Sequence, residues 1–166
     1  SLVARLNARQ PGLAALLPMD GYHLDDVILD ELGLKARKGA PETFDVGGLD
    51  HMLTRLRSRD EAVVAVPVFD RSIEIARAGA RLIPQSVGLI VVEGNYLLLD
   101  VMPWKKLRRH FDVSLFVDVP ETVLGQLGNR GQRAMCIWAA FASLEAYEAA
   151  VRQHERRSKM RLQRVM

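Results

Sequence analysis

Of 166 residues, only one is cysteine, Cys136. An internal disulfide is therefore excluded, and a reducing compartment is the simple expectation. Cys136 stands among Ala, Met, Ile and Trp, surroundings that suit a buried structural thiol better than a nucleophile. Histidine is scarce as well. His51, His110 and His154 lie far apart with no paired metal-ligand spacing, so they are given no role. No apolar run approaches the roughly 20 residues of a membrane span. The opening SLVARLNARQ lacks the apolar core of a secretory signal, so a cytoplasmic protein with no membrane partner is expected. Neither an internal repeat nor a low-complexity segment is present. Charge of one sign is not in large excess either: 23 Lys and Arg against 20 Asp and Glu give +3. That balance does not argue for nucleic acid. Six basic residues between Arg152 and Arg164 crowd the C-terminus and read as a solvated tail rather than a nucleic-acid arm.

What the chain does have is a core. Hydrophobic residues make up 49% and charged ones 26%, the composition of one ordinary globular domain. The stretch Leu89–Leu99, LIVVEGNYLLL, reads as a strand buried on both faces of a parallel sheet. It ends at Glu93, either a solvated Glu-Gly turn or a carboxylate at a ligand site, since open α/β sheets bind ligands beyond their strands' carboxyl ends. Before it, Leu2, Val3 and Leu6 have helical spacing, and Leu13–Met19 is strand-like and closes on Asp20-Gly21. Val27, Ile28 and Leu32 mark a helix, Lys35–Gly48 a long loop of the functional kind, and Leu49, Met52, Leu53 and Leu56 a second helix. Ala62–Phe69 is a strand ending at Asp70. After Leu89 come a short helix over Trp104–His110, a strand over Asp112–Val119 and a helix opening at Pro120. Trp104 reads as a packing residue. Strands alternating with helices predict an α/β fold with a mostly parallel sheet flanked by helices. The expected core spans residues 1–124. Residues 125–166 form a divergent basic segment, with CIWAAFASLEAYEAAVRQHERR read as a helix.

Asp20, Asp70 and Glu93 each end a predicted strand. If those strands are parallel neighbours, the acids meet at one sheet edge, where one can order Mg²⁺ and another can take a proton from a hydroxyl. That pairing suits phosphoryl transfer, which depends on positioning and charge neutralisation. Five segments in order, PMDGYHLDD (18–26), KGAPETFDVGGL (38–49), VPVFDRSIEIA (66–76), VVEGNYLLL (91–99) and FVDVPETVL (116–124), make the chain resemble the uridine kinase and phosphoribulokinase group of P-loop kinases. The resemblance is strongest to its bacterial fructokinase-like or nucleoside-kinase-like branch. It implies ATP and Mg²⁺ as cofactors and a small-molecule hydroxyl acceptor, sugar-like or nucleoside-like. By the same resemblance, Asp20 matches the general base and Glu93 the metal-ordering carboxylate. Asp70 and Arg71 match the region that contacts the acceptor or the moving phosphate. Tyr22, His23, Phe44, Asp45, Asn95 and Tyr96 match the acceptor side; for Phe44 and Tyr96, core packing is an equal alternative.

The sequence contains no G-x-x-x-x-G-K-[ST], the loop whose backbone N–H groups and lysine cradle phosphates. In the group this loop precedes the helix that Ser1–Arg9 would continue, so the first strand and the phosphate loop are expected to lie outside this sequence. Arg130 and Arg133 are the candidates for the nucleotide side, in place of the group's arginine-bearing lid. Two functions remain open at this point: a small-molecule kinase, or a non-catalytic kinase-derived protein that binds a ligand or partner. Acceptor identity and oligomeric state are not written in these motifs.

Overall fold

The structure is a computed structural model, and it describes residues 2–118, 134–141 and 161–164. In chain order the elements are α1 (Leu2–Asn7), β1 (Ala14–Pro18), α2 (Asp26–Glu31), α3 (Val46–Ser58), β2 (Val63–Asp70), β3 (Ile75–Pro84), β4 (Leu89–Gly94), β5 (Val113–Asp118), β6 (Ala134–Phe141) and β7 (Arg161–Arg164). Short 3₁₀ turns stand at Met19–Tyr22, Lys35–Arg37, Pro41–Thr43 and Trp104–His110.

The α/β class holds, and its parallel pair is β1 with β4, in a register that sets Pro18 beside Glu93. Both strands are buried on two faces, as their unbroken apolar runs require. On one side Leu6 of α1 packs with Ala14, Leu89 and Val91. On the other, Leu17 and Val92 join Leu49 and Leu53 of α3, Val64 and Val66 of β2, Ile83 of β3, and Trp104, Leu107 and Phe111. Asn7 fastens α1 to the sheet: its amide donates to the Ala14 carbonyl at 2.9 Å and its Oδ1 accepts from the Ala14 N–H at 2.8 Å.

Three expectations are corrected. The main sheet has the order β1-β4-β6-β5-β7, and β6 runs antiparallel to both β4 and β5, with β7 antiparallel to β5. The sheet is therefore mixed, and residues 136–141, where a helix was expected to begin, belong to strand β6. AMCIWAAF is a short apolar run, and periodicity alone does not separate a buried strand from a buried helix at that length. Second, β2 lies outside the main sheet, in an antiparallel hairpin with β3. IARAGARLIP reads poorly as a strand because most of its side chains face outward. Third, α3 starts at Val46, inside the expected loop, because the Asp45 carboxylate caps it by accepting from the Gly48 N–H at 2.8 Å. A cap of this kind satisfies an orphan N–H and offsets the weak helix propensity of Gly47 and Gly48. The expected helix from Pro120 and both nucleotide-side candidates, Arg130 and Arg133, lie outside the described residues. Cys136 falls on β6, and its side chain is likewise not described.

Candidate active site

Asp20 sits on the 3₁₀ turn directly after β1, and Glu93 sits on the last turn-ward positions of β4. Parallel pairing brings both to the carboxyl edge of the two strands. Two glycines hold this corner together. A Cβ on Gly94 would fall 2.5 Å from the Cβ of Met19, and one on Gly21 would fall 2.8 Å from the Pro67 carbonyl oxygen. The turn bearing Asp20 is thus pressed between β4 and the hairpin. The hairpin reaches it through an irregularity in register between Val66 and Val68, where Pro67 has no N–H to give to a ladder.

A cleft of about 510 Å³ opens at this edge, lined by Asp20, His23, Phe44, Arg71, Glu93 and Asn95 among others. The exposed Arg71 donates from Nη2 to Asp20 Oδ2 at 2.8 Å. Glu93 is half-buried, and its carboxyl is held above the usual carboxylate range, first by burial and then by the negative charge of Asp20; Arg81 and Arg71 pull it back. Arg71 thus compensates Asp20, while Glu93 makes no ion pair among the described residues. Among the described residues no group of three or more His, Cys, Asp or Glu gathers into a metal cage. Two carboxylates are what Mg²⁺ takes from a protein when waters and phosphates complete its shell, so the pair fits that ion.

Other candidates go elsewhere. Asp70 does not line the cleft: its Oδ1 accepts from the Ser72 N–H at 3.1 Å and the Ser72 hydroxyl at 2.6 Å, while Oδ2 pairs with Arg77 at 3.2 Å. Those Ser72 bonds lower its pKa, and it serves as the residue that closes the hairpin turn. Tyr22 is buried in the core, and its hydroxyl has no partner among the described residues. Burial, and then the charge of Asp45, raise its pKa. Asp45 caps α3. Tyr96 braces the 35–43 loop by donating to the Gly39 carbonyl at 2.7 Å, and its ring meets Phe44 and Trp104 edge-on at 5.8 and 5.5 Å. Trp104 packs there and donates to the Pro41 carbonyl at 3.2 Å. Phe44 does both jobs, lining the cleft and packing the core.

The cleft also contains Lys38, Phe69 and Glu74, which sequence reasoning passed over. All three lie within the segments that carry the resemblance, KGAPETFDVGGL and VPVFDRSIEIA. Lys38 bonds Asp26 at 2.7 Å and the Glu74 carbonyl at 2.8 Å, tying α2 to the hairpin tip, and its ammonium lies 5.6 Å from the centre of the Phe69 ring. His23 lies between Phe44 and Phe69, its ring tilted by 46° and 45° to theirs at ring-centre distances of 4.0 and 4.8 Å.

No protein-family model matches the chain. It is 38% identical over 121 residues to an uncharacterized protein of Escherichia coli, YggC, covering 72% of this chain and 49% of that one. It is 30% identical over 110 residues to a pantothenate kinase of Enterococcus faecalis, covering 66% of this chain and 36% of the relative. The chain thus spans about half the length, or less, of these relatives. A crystal structure described as a candidate fructose transport system kinase from Silicibacter sp. TM1040 superposes with a TM-score of 0.60 and 43% identity, over 67% of this chain and 52% of that one. With relatives named pantothenate kinase and uridine kinase and a fold shared with solved P-loop kinases, this chain is a relative of the P-loop kinases.

Proposed function

We propose that the protein to which this chain belongs is an ATP- and Mg²⁺-dependent phosphotransferase acting on a hydroxyl of a small sugar-like or nucleoside-like acceptor. One observation carries this reading: parallel pairing of β1 and β4 sets Asp20 and Glu93 at one edge of an open cleft, with Arg71 on Asp20. In the reaction, Asp20 accepts the proton of the attacking hydroxyl. Glu93 would hold Mg²⁺, which when bound would supply charge neutralisation for the transferring phosphate. Arg71, whose side chain is 79% exposed, is free to swing from Asp20 to the moving phosphoryl group, where its fork can grip two oxygens. His23, Phe44 and Asn95 contact the acceptor.

The test is transfer of the ATP γ-phosphate by the full-length gene product to a panel of hydroxyl acceptors. Asp20→Asn should lower turnover about 10²–10⁴-fold, the usual worth of a general base, with nucleotide affinity nearly unchanged. Undiminished turnover removes Asp20 from the mechanism. A second reading, binding without transfer, is favoured by the lack of a phosphate-loop motif in these 166 residues. Transfer by the full-length product would end it.

A further inference from the structure

A second cavity opens at the other end of β4, away from the carboxylates. It holds about 200 Å³ between the end of α3, the base of the β2–β3 hairpin and the start of β4. Its walls include the buried core side chains Leu53, Val64, Ile83 and Val87, with the half-buried Leu56 beside them. No residue used in the phosphotransfer reading lines it.

The rim of this cavity is basic: Arg55, Arg57 and Arg59 stand with one acid, Glu61. Two of these arginines are neutralised. Arg55 grips Glu61 through Nε and Nη2 at 2.8 and 2.6 Å, and Arg57 pairs with Asp112 at 3.1 Å. Both also stand in the last turn of α3, where they offset the partial negative charge of the helix end. Arg59 differs. It donates from Nη1 to the Val87 carbonyl at 3.3 Å and from Nη2 to the Gln85 carbonyl, and it makes no ion pair among the described residues. Asp60, next in the chain, does not line the cavity. Arginine stays charged and carries five N–H groups, so Arg59 keeps donors and an uncompensated charge at the mouth of an apolar hollow. Its backbone closes α3 in the left-handed region, at φ 56° and ψ 30°. Glycine would meet that demand without steric cost. What arginine adds at this position is the side chain turned across the rim.

We propose that this cavity is a second binding site, for a small monocarboxylate with a compact apolar body. The carboxylate sits on the remaining N–H groups of Arg59, and the body packs on Leu53, Leu56, Val64 and Ile83. A dry apolar cavity of roughly 150 Å³ holds a benzene ring, so about 200 Å³ takes a six-carbon body with its carboxylate. A neutral molecule forgoes the charge-assisted bond, and a cation is repelled by Arg59. The proposal does not rest on the phosphotransfer reading.

The probe is benzoate, titrated into the full-length gene product and followed by amide NMR shifts. Benzyl alcohol and benzylammonium serve as its neutral and cationic counterparts. Benzoate should bind about ten-fold or more tighter than either, the worth of a hydrogen bond to a charged group, and should shift amides within 53–64 and 83–90. Arg59→Gly, which suits the left-handed cap and removes the cation, should weaken benzoate about ten-fold and leave benzyl alcohol unchanged. Saturating Mg-ATP should leave benzoate affinity as it is, because the cavity and Glu93 stand at opposite ends of β4. Absence of benzoate binding, equal binding of the three probes, indifference to Arg59→Gly, or displacement by Mg-ATP would each overturn the proposal. Should Arg59→Gly fail to fold, Leu56→Trp decides. It fills the cavity with Arg59 in place and should abolish binding; retained affinity would place benzoate elsewhere.

Discussion

At the scale of single residues, the site is a problem in unbalanced charge. Glu93 is half-buried beside Asp20, and its raised pKa means that the unfolded chain gives up this proton more readily than the folded one. Stability therefore falls as pH rises from the ordinary carboxylate range through the folded pKa of Glu93, and stays lower above it. Glu93→Gln removes the titrating group without changing its size. Its melting temperature should match that of the wild type near pH 4 and exceed it at pH 7, by more in low salt than in high salt because the side chain is partly solvated. A variant that melts lower than wild type at pH 7 would show that Glu93 stabilises the fold, contrary to its burial beside a like charge. Asp20 and Glu93 were legible in the sequence because acids after apolar strands stand out, whereas Arg71 came only from the family resemblance. The fates of Asp70, Tyr22 and Asp45 were not. Whether a turn acid faces a cleft or closes its own turn depends on a neighbour such as Ser72 or Arg77, placed by a hairpin no local pattern announces.

At the scale of elements, α3 is joined to the Trp104–His110 turn by a compact polar clamp. Asp50 accepts from His110 Nε2 and from Arg109 Nη2, both at 2.7 Å, and Arg57 donates to the His110 carbonyl at 2.8 Å and to Asp112 at 3.1 Å. Burial lowers the pKa of His110, and the Arg109 and Arg57 charges add to this, against the opposing pull of Asp50. A histidine held neutral in the fold is protonated first in the unfolded chain, so stability declines as pH falls below the ordinary value of about 6.5. The urea midpoint should therefore drop between pH 7 and pH 5, and His110→Gln, which cannot titrate, should flatten that part of the profile. An equally steep decline in the variant would assign it to other groups. The glycine contacts offer a second check. Gly21→Ala would drive a methyl into the Pro67 backbone, which cannot rotate away as a side chain can, so a loss of about 1–3 kcal/mol in unfolding free energy is expected. The helices and β1, β2, β4 and β5 were foreseen from periodicity. β3, β6 and β7 were missed: β3 is too polar, β6 is too short and apolar for its period to speak, and β7 lies in the basic run that read as a solvated tail.

At the scale of the whole molecule, the proposed phosphotransfer needs a site for the acceptor and a site for the phosphates of ATP. On the proposed reading, the acceptor binds in the cleft at the carboxyl ends of β1 and β4, where open α/β sheets place their ligands. For the phosphates of ATP, the sequence holds no G-x-x-x-x-G-K-[ST], and the chain spans 49% of one relative and 36% of another. Hydrogen bonds from a backbone cradle to a charged phosphate contribute about 1.5–3 kcal/mol each. Without two of them, affinity falls by about 3–6 kcal/mol, or about 10²–10⁴-fold. Net charge of +3 over 166 residues does not replace them, because diffuse surface charge is screened within about 8–10 Å at physiological salt. Calorimetry with Mg-ATP should accordingly show the 166-residue chain binding at least 100-fold more weakly than the full-length gene product, while both bind the same hydroxyl acceptor alike. Equal Mg-ATP affinity would mean that these residues hold phosphate by a device other than a phosphate loop. Unequal acceptor affinity would mean that the cleft between β1, β4 and the hairpin is completed by parts of the protein outside this sequence.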